Sequence, residues 1–302
     1  MHLGKNKILI TGATGFLGYE IFKSLSKNYN VVPTSRTKKK NFIYLDYSQK
    51  KIKNQILKDV DTIIHLASLD RDEVKKNYQK AKEINFDFTK ELIELSILNG
   101  VKNFIYVSSI SVYGENFSNN VKENIKPKPK DRYSRLKLMC EKLLKQKSNK
   151  QKIVILRLSN IFGVPHIITK GYHKLFIPNI CLSALKNKKI FLNTNGDQYR
   201  DFLELNLFIK ILNKLLKRIN KMNNFTIFNI SSYNSLKIIE IAKKVVFIFK
   251  NKFNQKVKII KGKKIYEKKY SINNNKIKNF LNLKINNNYN KTLFNMINFL
   301  KK

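Results

Sequence analysis

The sequence predicts an α/β protein built on a doubly wound parallel sheet, followed by a smaller C-terminal substrate-binding region. Three observations predict it. Short apolar runs alternate with helical patterns through the first half of the chain. The first such run, Lys7 to Thr11, opens into a loop with glycines at positions 12, 15 and 18. Beyond Gly163 the alternation breaks down, and Pro165, Gly171 and Pro178 mark a loop-rich crossing into a second region.

Each element has a local reason. Lys7–Thr11 (KILIT) reads as a buried strand, and Phe16, Leu17, Ile21, Phe22 and Leu25 recur at helical spacing after the glycine loop. Further strands are expected at Asn30–Thr34, Phe42–Leu45, Asp61–Leu66, Phe104–Ser108 and Ile153–Leu158. A long helix is predicted over Val74–Leu98, closed by Asn99-Gly100, where glycine takes a left-handed cap. Another is predicted over Tyr133–Lys147. In the second region, helices are expected near Ile180–Leu185, Leu205–Leu216 and Ser235–Phe249, and a strand at Phe225–Ile230. The triplets Asn273–Asn275 and Asn286–Asn288 read as polar loops. Residues 1–163 are expected to form the dinucleotide-binding domain and 164–302 the substrate region, interleaved with the sheet near 197–232.

Strand, glycine loop and helix in that order make a Rossmann-type dinucleotide site. Gly12 permits the tight turn, Gly15 admits a pyrophosphate to the backbone, and Gly18 lets the helix pack close. The helix N-terminus then presents unpaired N–H groups to phosphate. Cofactor choice is read after the second strand, where an acid holds a ribose 2′-OH and an arginine accommodates a 2′-phosphate. Here stand Thr34, Ser35 and Arg36, then Thr37 and three lysines, with no carboxylate. NADP(H) is therefore favoured over NAD(H), unless Arg36 simply joins the lysine-rich surface. Asp46 either accepts hydrogen bonds from the adenine edge or is a surface-turn aspartate.

Tyr133 and Lys137 lie four residues apart and share one helix face. A phenol with a reference pKa near ~10 is a poor base at neutral pH. A neighbouring ammonium, together with the positive charge of an oxidised nicotinamide, lowers it toward working range. Ser109, ending the fifth strand, is placed to hydrogen-bond the same substrate oxygen. The three support loss of a proton as hydride leaves a carbinol carbon.

Composition narrows the class. The formal charge is +41, yet only seven of the 61 basic residues are arginine, and lysines are spread through every segment. Nucleic-acid binders concentrate charge on one face and use arginine forks, so a solvated lysine surface is expected and a nucleic-acid partner is not. No run of roughly 18 apolar residues is present, so no membrane span is expected. Met1–Lys7 runs straight into a strand, and the cysteines number two, Cys140 and Cys181. Both features fit a cytoplasmic protein in a reducing compartment. Cys140 reads as a core filler rather than a reactive thiol. No metal site is predicted.

An ordered set of segments runs almost the whole length: Thr11–Gly18 (TGATGFLG), Ile64–Ala67 (IHLA), Asn85 in N-x-x-x-T, Asn103–Gly114, Tyr133–Lys137, Leu156–Gly163 (LRLSNIFG) and Gly196–Phe202 (GDQYRDF). In these the chain resembles the extended short-chain dehydrogenase/reductases, specifically the NAD(P)-dependent epimerase/dehydratase group acting on nucleotide sugars. The resemblance implies Ser109, Tyr133 and Lys137 as catalytic, with Ser109 also on the substrate and Lys137 also on the nicotinamide ribose. It implies cofactor contacts at Gly12, Thr14, Gly15, Phe16, Leu17, Gly18, Leu66, Ala67 and Asn85, and diphosphate contacts at Asn160 and Arg200. Arg157 is either a substrate contact or structural. The helices 74–98 and 133–147 offer faces for a family-like four-helix homodimer interface.

The resemblance also separates reactions. Sugar 4,6-dehydratases of this group place an acid pair where this chain has Ile110 and Ser111, so dehydration ranks low. C4 epimerisation or one-way reduction of a 4-keto sugar remains, and Arg36 tilts toward reduction. A reading from another class is a non-catalytic NAD(P)-binding redox sensor or RNA-binding relative of the same fold, against which Ser109, Tyr133 and Lys137 stand intact.

Overall fold

The computed structural model describes residues 6–45, 54–114, 119–169 and 171–301. In chain order the larger elements are β1 (Lys7–Thr11), α1 (Phe16–Leu25), β2 (Asn30–Ser35), β3 (Ile43–Tyr44), β4 (Thr62–His65), α2 (Arg71–Lys76), α3 (Tyr78–Lys82), α4 (Phe88–Leu98), β5 (Asn103–Ser109), α5 (Arg132–Lys147), β6 (Lys152–Leu158), β7 (Asn160–Phe162) and α6 (Phe176–Asn187). They continue with β8 (Lys189–Phe191), β9 (Tyr199–Glu204), α7 (Leu205–Arg218), β10 (Phe225–Ile230), β11 (Ser235–Lys237), α8 (Ile238–Phe253), β12 (Lys258–Ile260), α9 (Asn275–Leu281) and α10 (Tyr289–Lys301).

Two units divide the chain. The first takes Met1–Glu115, Glu123–Leu158 and Asn213–Phe228; the second takes Asn116–Lys122, Ser159–Leu212 and Asn229–Lys302. A seven-stranded sheet orders its strands β10-β6-β5-β4-β1-β2-β3. From β6 to β3 neighbouring strands pair in parallel, with Ile8 opposite Thr62 and Ser109 opposite Leu158. The central strands β1, β4, β5 and β6 are almost continuously buried, as a sheet covered on both faces requires. Leu9, Ile63, Phe104 and Ile155 from four adjacent strands meet Phe88, Leu92, Leu136 and Leu144 from helices in one apolar cluster. Strand order reverses between β1 and β4, which is the topological switch point of an open α/β sheet.

The predicted helix over Val74–Leu98 is not continuous. Asn77 adopts an extended backbone (φ −147°) and its side chain accepts the Lys80 amide at 3.0 Å, so it ends α2 and caps α3. Glu83–Asp87 then widens into a π turn before α4. The start also lies earlier than predicted, because Asp70 and Glu73 form a reciprocal capping box.

In the second unit, β11-β9-β7 form a three-stranded sheet and β12-β8 a parallel pair. The triplet 273–275, predicted as a loop, instead leads into α9, whose first residue is Asn275. Its asparagines are partnered: Asn229 Nδ2 donates to the carbonyls of Val121 and Asn273, Asn274 Nδ2 to Ser231 O, and Asn273 Nδ2 to Asn120 Oδ1. Asn287 similarly accepts from the Glu204 amide at 3.1 Å and donates to Phe202 O. The segment expected to be one helix from Ser235 splits into β11 and α8, with Glu240 bonding the Lys237 amide at the junction.

Candidate functional site

The glycine loop lies at the carboxyl end of β1. Gly12 has φ +71°, and a Cβ there would stand 2.8 Å from the Ala67 nitrogen. A Cβ at Gly18 would stand 2.2 Å from the Gly12 carbonyl oxygen, so only hydrogen lets α1 sit this close to the loop. Gly15 is the exposed cap of α1, without a side-chain hydrogen bond, and no acid occupies the first turn. This cradle, which side chains would fill, fits a dinucleotide pyrophosphate. Thr14, Phe16 and Leu17 are part-buried around it.

Strands β4 and β5 end on the same edge. After β4, Leu66 is part-buried and Ala67 buried. Asn85 is only 2% exposed: its Oδ1 accepts the Leu69 amide at 2.6 Å and its Nδ2 donates to Leu69 O at 3.2 Å. Its side chain therefore holds residue 69 in place. Ser109, at the end of β5, accepts the Ser111 amide at 3.1 Å. Ile110, beside it, is buried. Arg36 is exposed just past β2. Asp46 lies outside the described residues.

α5 begins at the Asp131 cap, whose Oδ1 accepts the Ser134 amide at 2.8 Å. Its buried face carries Leu136, Cys140 and Leu144, but also Lys137 and Glu141. Two charges on the inner side of an amphipathic helix need partners. Lys137 Nζ donates to Val107 O at 3.1 Å and lies 5.8 Å from the centre of the Tyr133 ring. Burial pushes this ammonium down to about 8. Burial also pushes the Tyr133 phenol up to about 12, against the lowering charge of Arg71, whose guanidinium sits 5.8 Å from the ring centre. Arg71, the cation that lowers it, also pairs with Asp131 at 3.1 Å.

Glu141 meets Arg157 in a bidentate pair, with Nη2 2.7 Å from Oε2 and Nε 3.1 Å from Oε1. The side chains are 3% and 4% exposed. Ser108 Oγ donates to Glu141 at 2.6 Å, and Arg157 Nη1 donates to the Tyr113 hydroxyl at 2.8 Å. Of the two roles open for Arg157, this is the structural one: it ties β6, α5 and the turn after Ser109 together. Cys140 is fully buried and its thiol is pushed up by burial, as a core filler should be.

In the second unit, Asn160 opens β7 and pairs with Phe202 of β9, and Arg200 lies in β9 two residues before Phe202. Asn160 Nδ2 donates to Asp201 O at 2.9 Å, so the two predicted diphosphate residues lie on paired strands. Arg200 Nη1 reaches Glu267 at 2.9 Å and Tyr199 O at 2.6 Å. Asp201 is wholly buried; it accepts the Ser232 amide and hydroxyl, both at 2.9 Å, and burial lifts its carboxyl to about 6. Its pKa is higher folded than unfolded, so its contribution to stability is fullest below the ordinary aspartate value of 3.8 and is lost as pH rises through about 6. Melting wild type beside Asp201→Asn across that window is expected to show the gap moving in favour of the variant as pH rises; parallel curves would refute it.

Sequence reading missed Arg71, Glu141 and Glu267. For Glu141 a signal existed, a carboxylate four residues after Lys137 on the same face. Among the described residues no group of three His, Cys, Asp or Glu side chains is placed to hold a metal ion, and no helix is long and apolar enough to cross a membrane.

The dTDP-D-glucose 4,6-dehydratase of Mus musculus is 24% identical over 269 residues, covering 81% of this chain and 73% of its own. The UDP-glucose 4-epimerase of Lactobacillus helveticus is 27% identical over 274 residues, covering 80% and 82%. A solved UDP-glucuronic acid 4-epimerase from Bacillus cereus, in complex with UDP-glucuronic acid and NAD, superposes with a TM-score of 0.83 at 24% identity, covering 98% of this chain and 99% of that one. That likeness is one of fold. The model of the NAD dependent epimerase/dehydratase family matches residues 8–231, and the chain belongs to that family.

Proposed function

We propose that the protein is an NAD(P)-dependent nucleotide-sugar epimerase or 4-keto reductase that moves hydride at a carbinol or ketone carbon of the sugar. The observation that carries this reading is the carboxyl edge of three adjacent strands, β1, β4 and β5, where a glycine cradle and Ser109 lie on the same edge of the sheet, with Tyr133 and Lys137 one turn apart on α5. The dinucleotide, when bound, supplies the hydride acceptor or donor and, in its oxidised form, a positive charge. Gly12, Thr14, Gly15, Phe16, Leu17 and Gly18 hold its phosphates; Leu66 and Ala67 line the facing wall, and Asn85 acts through Leu69. Lys137 holds the nicotinamide ribose.

Tyr133 exchanges the proton of the sugar oxygen, and Ser109 hydrogen-bonds that oxygen. A phenol held at about 12 is protonated and ready to donate in the reductive direction. Acting as base in the oxidative direction requires added positive charge, which Lys137, Arg71 and the oxidised nicotinamide supply. Asn160 and Arg200 bind the diphosphate, through an amide donor and a forked cation. Relatives include both 4-epimerases and 4,6-dehydratases. The absence of any carboxyl at Ile110 or Ser111 supports epimerisation or reduction over removal of water.

Purified protein is expected either to interconvert UDP-glucose and its 4-epimer without added cofactor, or to consume NADPH with a 4-keto sugar nucleotide. Inactivity in both assays over a broad panel of sugar nucleotides rejects the reading. Exposed Arg36, with no acid after β2, supports NADP(H). Arg36→Ala is expected to raise the Michaelis constant for NADPH and leave that for NADH almost unchanged; an undiminished NADPH preference removes the argument.

A further inference from the structure

His65 belongs to the Ile64–Ala67 motif but has no task in the chemistry above, and it is wholly buried. Phe88, Phe104 and Tyr106 surround its ring at centroid distances of 5.7, 5.8 and 5.6 Å. Each ring nitrogen meets a threonine hydroxyl: Nδ1 lies 2.6 Å from Thr11 Oγ1, and Nε2 lies 2.8 Å from Thr89 Oγ1.

The direction of these hydrogen bonds follows from their outer ends. Thr89 has one hydroxyl proton and donates it to the Asn85 carbonyl at 2.7 Å. Thr89 must therefore accept from His65, which puts a proton on Nε2. Burial and the ammonium of Lys137 push the imidazole down to about 3, so the ring is neutral and Nδ1 has no proton. Nδ1 accepts from Thr11 Oγ1. The Thr11 oxygen, its own proton committed, accepts the amides of Leu66 and Ala67 at 3.2 and 3.3 Å. The relay runs from the π turn before α4 to the backbone that follows β4.

That backbone has left the sheet and is held by side chains at both ends. Thr11 fixes residues 66 and 67, and Asn85 fixes residue 69. Gly12 lies directly against it, since a Cβ on Gly12 would meet Ala67 N at 2.8 Å. A displacement of residues 66–67 would thus alter the width of the cradle. Histidine suits the role because a neutral imidazole is a rigid plate with a donor at one end and an acceptor at the other.

We infer that His65, locked as its Nε2–H tautomer between Thr89 and Thr11, is a positioning residue for the nicotinamide dinucleotide, setting the backbone of residues 66–69 against the glycine loop. The inference rests on the dinucleotide reading above. Three measurements on the intact protein test it. Nitrogen NMR of the wild-type imidazole should show Nε2 protonated, Nδ1 unprotonated, and no titration over the pH range in which the protein stays folded. In Thr89→Val, amide exchange at residues 66–69 should quicken without cofactor, and the Kd for NAD+ or NADP+ should rise about tenfold, as loss of one buried hydrogen bond implies. Thr89→Ser should restore both. A proton on Nδ1, a titrating imidazolium, or a Thr89→Val protein with wild-type exchange and affinity would overturn the inference. A wild type that binds neither NAD+ nor NADP+ overturns the dinucleotide reading and the role of His65 with it, while the NMR and exchange measurements still report whether the relay exists. Should Thr89→Val not fold, Thr89→Ala, which removes the same hydroxyl, takes its place in the exchange and affinity measurements with the same expected and overturning results.

Discussion

Tyr133→Phe is expected to cut turnover by about a hundredfold to ten-thousandfold, the range in which a positioned general acid or base contributes. The substitution removes one oxygen and leaves the ring. That ring packs against the cluster containing Leu136 and Cys140, and stands within 5.8 Å of both Lys137 Nζ and the Arg71 guanidinium. Folding and dinucleotide affinity should therefore change little. Calorimetric titration with NAD+ and NADP+, alongside steady-state turnover, separates the two effects. Equal loss of kcat and of dinucleotide affinity would show that the hydroxyl supports the site rather than moving a proton, and unchanged kcat would remove Tyr133 from the chemistry. With the phenol pushed up to about 12, turnover in the oxidative direction is also expected to rise with pH through the neutral range.

Glu141→Ala is expected to cost the most stability. It leaves the Arg157 guanidinium, 3% exposed, without its bidentate carboxylate and strips Ser108 of its acceptor. Breaking a buried pair in this way typically costs about 3–5 kcal/mol. For a chain of this size that lowers the melting temperature on the order of 10 °C. Asp61→Asn is the control: its pair with Lys102 is exposed on the lysine side, and its loss should barely shift the melt. Thermal unfolding of the three proteins side by side checks the contrast, and a Glu141→Ala melt as mild as the control would deny the buried pair its role. Glu141→Gln, which keeps the volume and one acceptor, should fall between them.

Much of the first unit was legible because a buried parallel sheet leaves continuous apolar runs and the glycine loop has a backbone reason for each glycine. KILIT and TGATGFLG specify β1, the cradle and α1 almost without tertiary help. The helix over 74–98 was misread because its apolar spacing continues through Asn77, while the extended backbone there depends on a side-chain cap that periodicity does not register. The second unit hid for a different reason. β7, β8, β9, β11 and β12 are three to six residues long and paired across long sequence separations, so no single segment carries a strand signal. Asparagines that look like low-complexity filler, such as Asn273 and Asn287, form specific hydrogen bonds there. Within the site, Tyr133, Lys137 and Ser109 stood out by motif. Arg71 and Glu141 act through neighbours that only folding brings near, and the role of His65 depends on which of two nitrogens holds a proton.

The route of the chain through its two units sets an order of events. The first unit is interrupted after Leu158 and resumes only with Asn213–Phe228, and the second begins with Asn116–Lys122 but waits for Asn229–Lys302. On a ribosome, the sheet lacks its edge strand until the whole intervening stretch has emerged. The short segment around Asn120 waits longer still for Asn273, 153 residues downstream. Contacts so distant in sequence make folding slow and leave β6 exposed as a temporary sheet edge during synthesis. The polar, lysine-rich exterior then has a second use, since like charges on nascent chains oppose edge-to-edge association while β6 waits for β10.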